Sequence, residues 1–414
     1  MTGPTERSRP TRRRVLFVGE GSTLAHAARP IALASALPAD RYDVLVACPE
    51  PYARWIPDRV AYRPLATQPQ SRFLGRLATG KPPFDEATLA RYVADDLELL
   101  GAFKPDVVVG DARVSLAASA RVAGVPYIGI SNAYWHPHRS LHPEFPVMRW
   151  SRNLPFPLLQ AMFAVSWPLA FAWTAAPISR ALAAHGVDIG LDIRRAWTEA
   201  DLMLYADMPS LYPEITADDR YRFAGPIAWE PPIEPPDWWE RIPRDRPVVY
   251  LTLGSSGDID AVTAILQALG ELDWTVLVAT AGRLVVPADG RRVFVADFLP
   301  GLAACARADL VICNGGSPTT TQALLAGRPV LGVCSNADQF LNMQAVHAAG
   351  VGEALRADRL TSRLIEKRLE RLRSASAIRA AGSLAKTAAA HDPVAVLMEC
   401  IEQLTDRRAA GLRP

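Results

Sequence analysis

A run of small and polar residues, Asn314-Gly315-Gly316-Ser317, separates the apolar stretch Leu310–Cys313 from a helix-prone segment that begins at Pro318 or Thr319. Glycines let backbone approach a ligand closely, and free amides at a helix start attract phosphate. The carboxyl end of a buried strand is also where open α/β sheets bind ligands. A second strand and loop, Leu251-Thr252-Leu253-Gly254-Ser255-Ser256-Gly257, presents similar groups, with Gly254, Ser255 and Ser256 as candidate phosphate contacts. Other arrangements suggest chemistry without sustaining it. Gly19-x-Gly21 invites a dinucleotide reading, but Leu24 stands where the third glycine belongs. Asp258-Ile259-Asp260 looks like a metal-binding pair, yet its place at a helix start suits N-capping better. His136, His138 and His142 share the loop-like HPHRSLH, without a neighbouring cysteine or carboxylate cluster, and no metal site is predicted.

These segments need a scaffold, and the rest of the chain describes one. Short apolar runs (Val15–Gly19, Asp43–Cys48, Asp106–Gly110, Tyr127–Ser131) alternate with helix-period segments in the first half. The pattern repeats in the second half with Val248–Gly254, Thr275–Thr280, Val293–Phe298, Leu310–Cys313 and Val330–Cys334. Continuous apolar strands alternating with helices predict parallel sheets covered on both faces. The chain of 414 residues is long enough for two such domains. The predicted organisation is a basic, disordered tail over 1–13, a first α/β domain over 14–225, a stiff Pro-rich connector over 226–246, a second α/β domain over 247–390 and a last helix over 391–414.

Composition narrows the partners. A formal charge of +2 supplies no field for nucleic acid. Five dispersed cysteines lack metal-ligand spacing and fit a reducing compartment. Three arginines precede only four apolar residues before Gly19, too short a run for a signal peptide, so a cytoplasmic location is expected. Residues 153–179 carry no charge and many aromatics, but four prolines interrupt them. They are expected to form a buried helix pair or the wall of an apolar pocket rather than a membrane span, with peripheral membrane contact left open.

The stretch from Phe298 to Gln339 resembles the nucleotide-sugar signature of the family that holds UDP-glycosyltransferases and bacterial natural-product glycosyltransferases. The family order is aromatic-x-Pro, His-x-Gly, a small or polar run, Glu, Gly-x-Pro and Asp-Gln. Here those places hold Phe298-Leu299-Pro300, Asn314-Gly315-Gly316, Ser317 to Thr319, Gln322, Gly327-Arg328-Pro329 and Asp338-Gln339. The resemblance implies the GT-B fold: two facing Rossmann-like domains, acceptor domain first, with the last helix crossing back to it. It implies that Phe298 and Leu299 meet the donor base and that Asn314, Gly315, Gly316, Ser317, Pro318 and Thr319 hold the pyrophosphate. Asp338 and Gln339 would bond sugar hydroxyls, although an N-cap role is the plainer account of Asp338.

Two departures bear on the donor. Asn314 replaces the family's His and cannot be cationic, and Gln322 replaces the Glu that grips ribose. A relaxed ribose grip admits a TDP-sugar as well as a UDP-sugar. In the first domain the resemblance makes His26 the general base and Asp111 its carboxylate partner, an arrangement suited to taking a hydroxyl proton. Asn132, Tyr134, Trp135 and His136 follow the strand Tyr127–Ser131 and are candidate acceptor contacts. The implied activity is metal-independent, inverting transfer of a hexose-type sugar from a nucleoside diphosphate to a hydroxyl of an apolar small molecule, with no further cofactor. Alternatives are a sugar-nucleotide epimerase on the same fold and a non-catalytic binding protein on a degenerate scaffold.

Overall fold

The computed structural model describes residues 12–254, 257–258 and 260–411. The expected tail lies outside them as far as residue 11, whereas Arg13 already begins a strand. The first sheet contains β1 (Arg13–Gly19), β2 (Tyr42–Cys48), β3 (Ala61–Pro64), β4 (Val107–Asp111), β5 (Tyr127–Ser131), β6 (Leu202–Tyr205) and β7 (Tyr221–Phe223). The second contains β8 (Val248–Thr252), β9 (Thr275–Ala279), β10 (Val293–Ala296), β11 (Leu310–Cys313), β12 (Val330–Cys334) and β13 (Gly352–Arg356). Their spatial orders are β3-β2-β1-β4-β5-β6-β7 and β10-β9-β8-β11-β12-β13. Every pairing is parallel. The expected α/β class with two Rossmann-like sheets is therefore present.

The helices of the first half are α1 (Leu24–Ala36), α2 (Gln70–Leu77), α3 (Glu86–Phe103), α4 (Leu116–Ala123), α5 (Phe156–Ala183) and α6 (Ile193–Thr198). Those of the second are α7 (Asp260–Gly270), α8 (Gly301–Arg307), α9 (Ser317–Leu325), α10 (Ala337–Ala348), α11 (Ser362–Leu372), α12 (Ala375–Ala388) and α13 (Pro393–Ala409). Val15, Leu16, Phe17 and Val18 are wholly buried because helices cover both faces of the sheet. Leu397, Cys400, Ile401 and Leu404 of α13 join a core cluster with Val15, Phe17 and Ile31, so the last helix packs on the first sheet. An ion pair from Arg13 to Asp406, 2.9 Å, lies along the same contact.

Strand order reverses between β1 and β4 and again between β8 and β11. These are the points where a doubly wound sheet opens a crevice at its carboxyl edge. Gly19 and Asp111 face each other across the first reversal. Residues 153–179, expected as a helix pair, lie mostly in the one long α5, which continues through Pro168 and Pro177. Tertiary packing holds it: Leu159, Phe163, Phe171, Ala175 and Ile178 on its inner side are buried in the core. By length and composition alone α5 is apolar enough to cross a membrane.

Candidate active site

The loops after β1 and β4 converge at the first reversal. A Cβ on Gly19 would lie 2.9 Å from both Ala27 Cα and the His26 carbonyl oxygen, so glycine lets α1 close onto the strand ends. Gly21 similarly abuts Thr67 and Pro49, which gives the Gly-x-Gly pair a packing role. His26 Nδ1 then lies 2.8 Å from Asp111 Oδ1. Because the carboxylate only accepts, Nδ1 carries the proton and Nε2 is left as the basic nitrogen. The His26 side chain is 24% exposed and lines the cleft, while Asp111 is buried.

Arg29 completes this group and was missed from the sequence. It stands three residues after His26 on the same face of α1, the spacing that could have revealed it. Its Nε and Nη2 donate to the two Asp111 oxygens at 2.7 and 2.9 Å. Burial is the largest influence on the Arg29 cation and opposes it, but the charge and hydrogen bonds of Asp111, with Tyr134 and Asp207, together outweigh burial and raise the guanidinium pKa. Beneath the same loops, Arg113 is buried between Glu20 and Asp96, at 3.3 and 3.0 Å, with Tyr92 under its guanidinium. Burial raises the pKa of both carboxylates, which share one cation.

A hydrogen-bond chain leads from this group across the cleft. Arg29 Nη1 donates to Asn132 Oδ1 at 2.9 Å, and Ser317 Oγ donates to the same oxygen at 3.3 Å. Asn132 Nδ2 in turn donates to Asp207 Oδ1 at 3.0 Å. Burial pushes the Asp207 carboxyl up to about 6, against the lowering effect of the Ala133 amide and Asn132.

The facing wall is built at the second reversal. Gly315 has φ +79°, and a Cβ there would strike Cys334 Sγ at 2.6 Å. The glycine thus shapes the turn and lets it pack on β12; it is not part of the cavity lining. Asn314 Oδ1 accepts from the Gly316 amide at 3.0 Å, ordering the entry to α9. The first amides of α9 have no partner within the helix and are suited to a phosphate. Asn314, Gly316, Ser317, Pro318, Thr319, Gly254, Phe298 and Leu299 all line the cavity. Ser255 and Ser256 lie outside the described residues. Asp258 pairs with Arg152 at 2.7 Å and accepts from the Asp260 amide at 3.1 Å, a capping and bridging role.

Three donor-side residues carry more than their expected duties. Gln322 Nε2 donates to the Trp229 carbonyl at 2.7 Å, which an ionised Glu could not do. That contact accounts for an amide at this position. Asn336, rather than Asp338, caps α10, and Gln339 Oε1 completes the capping box by accepting from the Asn336 amide at 3.4 Å, while also accepting from the Ser335 amide at 2.7 Å. Gln339 lines the cavity, and its buried Nε2 has no hydrogen-bond partner among the described residues. Asp338 Oδ1 accepts from Tyr134 Oη at 2.8 Å and Trp135 Nε1 at 3.1 Å. Those two aromatics spend their polar atoms on closing the domains, while their side chains line the cavity with Asn132.

His136 is a correction. It does not line the cavity; its Nδ1 lies 2.7 Å from Tyr205 Oη and its ring meets Tyr221 edge-on. Burial lowers its pKa. The short spacing from Trp135 suggested a shared surface, but the turn at 133–135 sends the next side chain back into the fold.

The cavity between the domains has a volume of about 590 Å³. Its lining includes the α9 turn, Phe298 and Trp229, the His26–Asp111 pair, and the apolar Phe163, Phe171, Trp173 and Trp197.

A family model described as erythromycin biosynthesis protein CIII-like, C-terminal domain, matches residues 263–404. The chain is 42% identical over 384 residues to a PGL/p-HBAD biosynthesis glycosyltransferase of Mycobacterium tuberculosis, covering 92% of this chain and 90% of the relative. The chain belongs to this glycosyltransferase family. A PGL/p-HBAD biosynthesis rhamnosyltransferase of Mycobacterium bovis is 43% identical over 385 residues, with 92% and 86% coverage. The fold of this glycosyltransferase is shared by SsfS6 of Streptomyces sp. SF2575, solved in complex with thymidine diphosphate. The TM-score is 0.62 at 21% identity, covering 95% of this chain and all of that one.

Proposed function

We propose that this glycosyltransferase moves a sugar from a nucleoside diphosphate to a hydroxyl of an apolar acceptor, with His26 as general base. The carrying observation is that the His26–Asp111 pair and the α9 turn line one cavity. The acceptor O–H gives its proton to His26 Nε2 as its oxygen bonds to the anomeric carbon. The bond from that carbon to the diphosphate breaks, and the leaving oxygen's charge develops at the amide-rich start of α9. One displacement of this kind inverts the anomeric centre. Asp111 stabilises the imidazolium, and Arg29 holds both Asp111 oxygens in place.

On the donor side, Phe298 stacks on the base, Gln322 Oε1 accepts from ribose, and Asp338 and Gln339 meet sugar hydroxyls. The thymidine diphosphate held by SsfS6 supports a TDP-sugar donor, and the rhamnosyltransferase relative supports a deoxyhexose. Phe163, Phe171, Trp173 and Trp197 support an apolar acceptor body. The test is nucleoside diphosphate release from a panel of TDP- and UDP-sugars with hydroxylated apolar acceptors. TDP-sugar turnover that falls about 10²–10⁴-fold in His26→Ala, with donor binding retained, is the expected result. Full activity in that variant overturns the base assignment.

A further inference from the structure

Apart from Trp173, the exposed apolar residues on the outer side of α5 lie outside the cavity lining. Leu158, Met162, Val165, Leu169 and Trp173 are 58, 63, 83, 75 and 62% exposed. Their spacing of three and four residues puts them in one stripe, about 23 Å long at the helical rise of ~1.5 Å per residue. Trp150 and Leu154 are also exposed just before the helix begins. From Asn153 to Ser179 there is no charged residue.

Cations gather at the amino-terminal end of this ridge. Arg149 donates its amide to the Ala78 carbonyl, close to Lys81, and Arg359 reaches the Leu154 carbonyl at 2.5 Å. Arg152 alone of these four cations pairs with carboxylates, Asp258 and Asp260, among the described residues. At the other end Trp173 is both exposed and part of the cavity lining, so the cavity reaches the surface beside the ridge.

We propose that this ridge seats the protein on an anionic lipid bilayer, with Trp173 where the cavity mouth meets the lipid. A protein partner would ordinarily exchange about one hydrogen bond per 100–200 Å² of interface. The ridge offers almost none, because Ser166 is the only polar side chain on its exposed face between Leu158 and Trp173. Lipid chains ask for none, while the flanking Lys81, Arg149 and Arg359 meet anionic headgroups. Indole rings at both ends suit the boundary between headgroup and chain. Pro168 has no N–H for the Ala164 carbonyl, which favours a shallow seat near headgroup water over deep burial. The docking rests on the ridge and its cations, independently of which acceptor the cavity takes.

The test is flotation of the full chain with vesicles of mixed phosphatidylglycerol and phosphatidylcholine, and with phosphatidylcholine alone. Expected is binding to the anionic vesicles that weakens with salt and drops about tenfold or more in Val165→Glu/Leu169→Glu, which puts charge where apolar side chains would be buried. Arg149→Glu should weaken binding several-fold. Val165 and Leu169 lie outside the cavity lining, so the thermal midpoint of the double variant should match the parent. Absence of binding to anionic vesicles, or equal binding by parent and double variant, overturns the proposal. Sedimentation showing a dimer that the double variant dissolves, without vesicle binding, would assign the ridge to a second copy instead.

Discussion

The two walls of the cleft solve their problems with opposite electrostatics. The first-domain wall is built on charge: Arg29 binds both oxygens of buried Asp111, and Arg113 sits between Glu20 and Asp96. On the second-domain wall the part around the α9 turn, Asn314, Ser317 and Gln322, is neutral, relying on helix-start amides and amide side chains. A general base must gain a proton during the reaction, so a fixed carboxylate beside it stabilises the charge it acquires. A diphosphate brings its own charge and is released afterwards, so oriented dipoles can hold it without a permanent cation.

Charge should therefore matter most on the first wall. Asp111→Asn removes the charge that faces the imidazolium, and kcat should fall about 10²–10⁴-fold while calorimetric donor affinity is unchanged. An equal loss of donor affinity would erase the distinction between the walls. Asp207 sharpens it through pH. Its folded pKa is raised from 3.8 to about 6, so between those values the folded protein retains a proton that the unfolded chain has released. Stability should fall as pH rises through that window, by up to about 1.4 kcal/mol per pH unit, and level off above it. Urea titrations should show this slope in the parent and not in Asp207→Asn.

Placing charge on the neutral wall should damage folding before chemistry. Gln322→Glu sets a carboxylate against the Trp229 carbonyl and should cost about 1–3 kcal/mol in urea unfolding. If it instead tightens donor binding without loss of stability, the amide is not required there. The smallest effect is expected for Ser317→Ala, which removes one neutral hydrogen bond to Asn132 across the cleft. At about 0.5–1.5 kcal/mol this should raise the donor KM severalfold and leave kcat nearly constant.

Much of the scaffold was legible because buried parallel strands leave continuous apolar runs. Tyr127–Ser131, Leu310–Cys313 and Val330–Cys334 are strands over the bounds expected for them. β3 and β7 went unseen because they are short edge strands of four and three residues. The interior strand β6, only Leu202–Tyr205, is too short to display a period. In the site, turn chemistry marked Asn314 to Thr319, whereas the only signal for Arg29 was its helical spacing from His26, and its partner Asp111 is set against α1 only by the fold. His136 was misjudged because nearness in sequence does not decide which way a side chain faces after a tight turn.

By itself the sequence determined the doubly wound architecture, the phosphate-type turn and the neutral character of its side chains, since these depend on residue type and local spacing. Only the tertiary structure decided the rest. It brought His26 to Asp111 across 85 residues, gave Asp111 a second partner in Arg29, and tied Tyr134 to Asp338 across the cleft. It also divided the uncharged α5 between an inner side that lines the cavity and an outer ridge that faces solvent. Hydrophobicity alone does not distinguish those sides, because burial is a property of what packs against a residue and not of the residue.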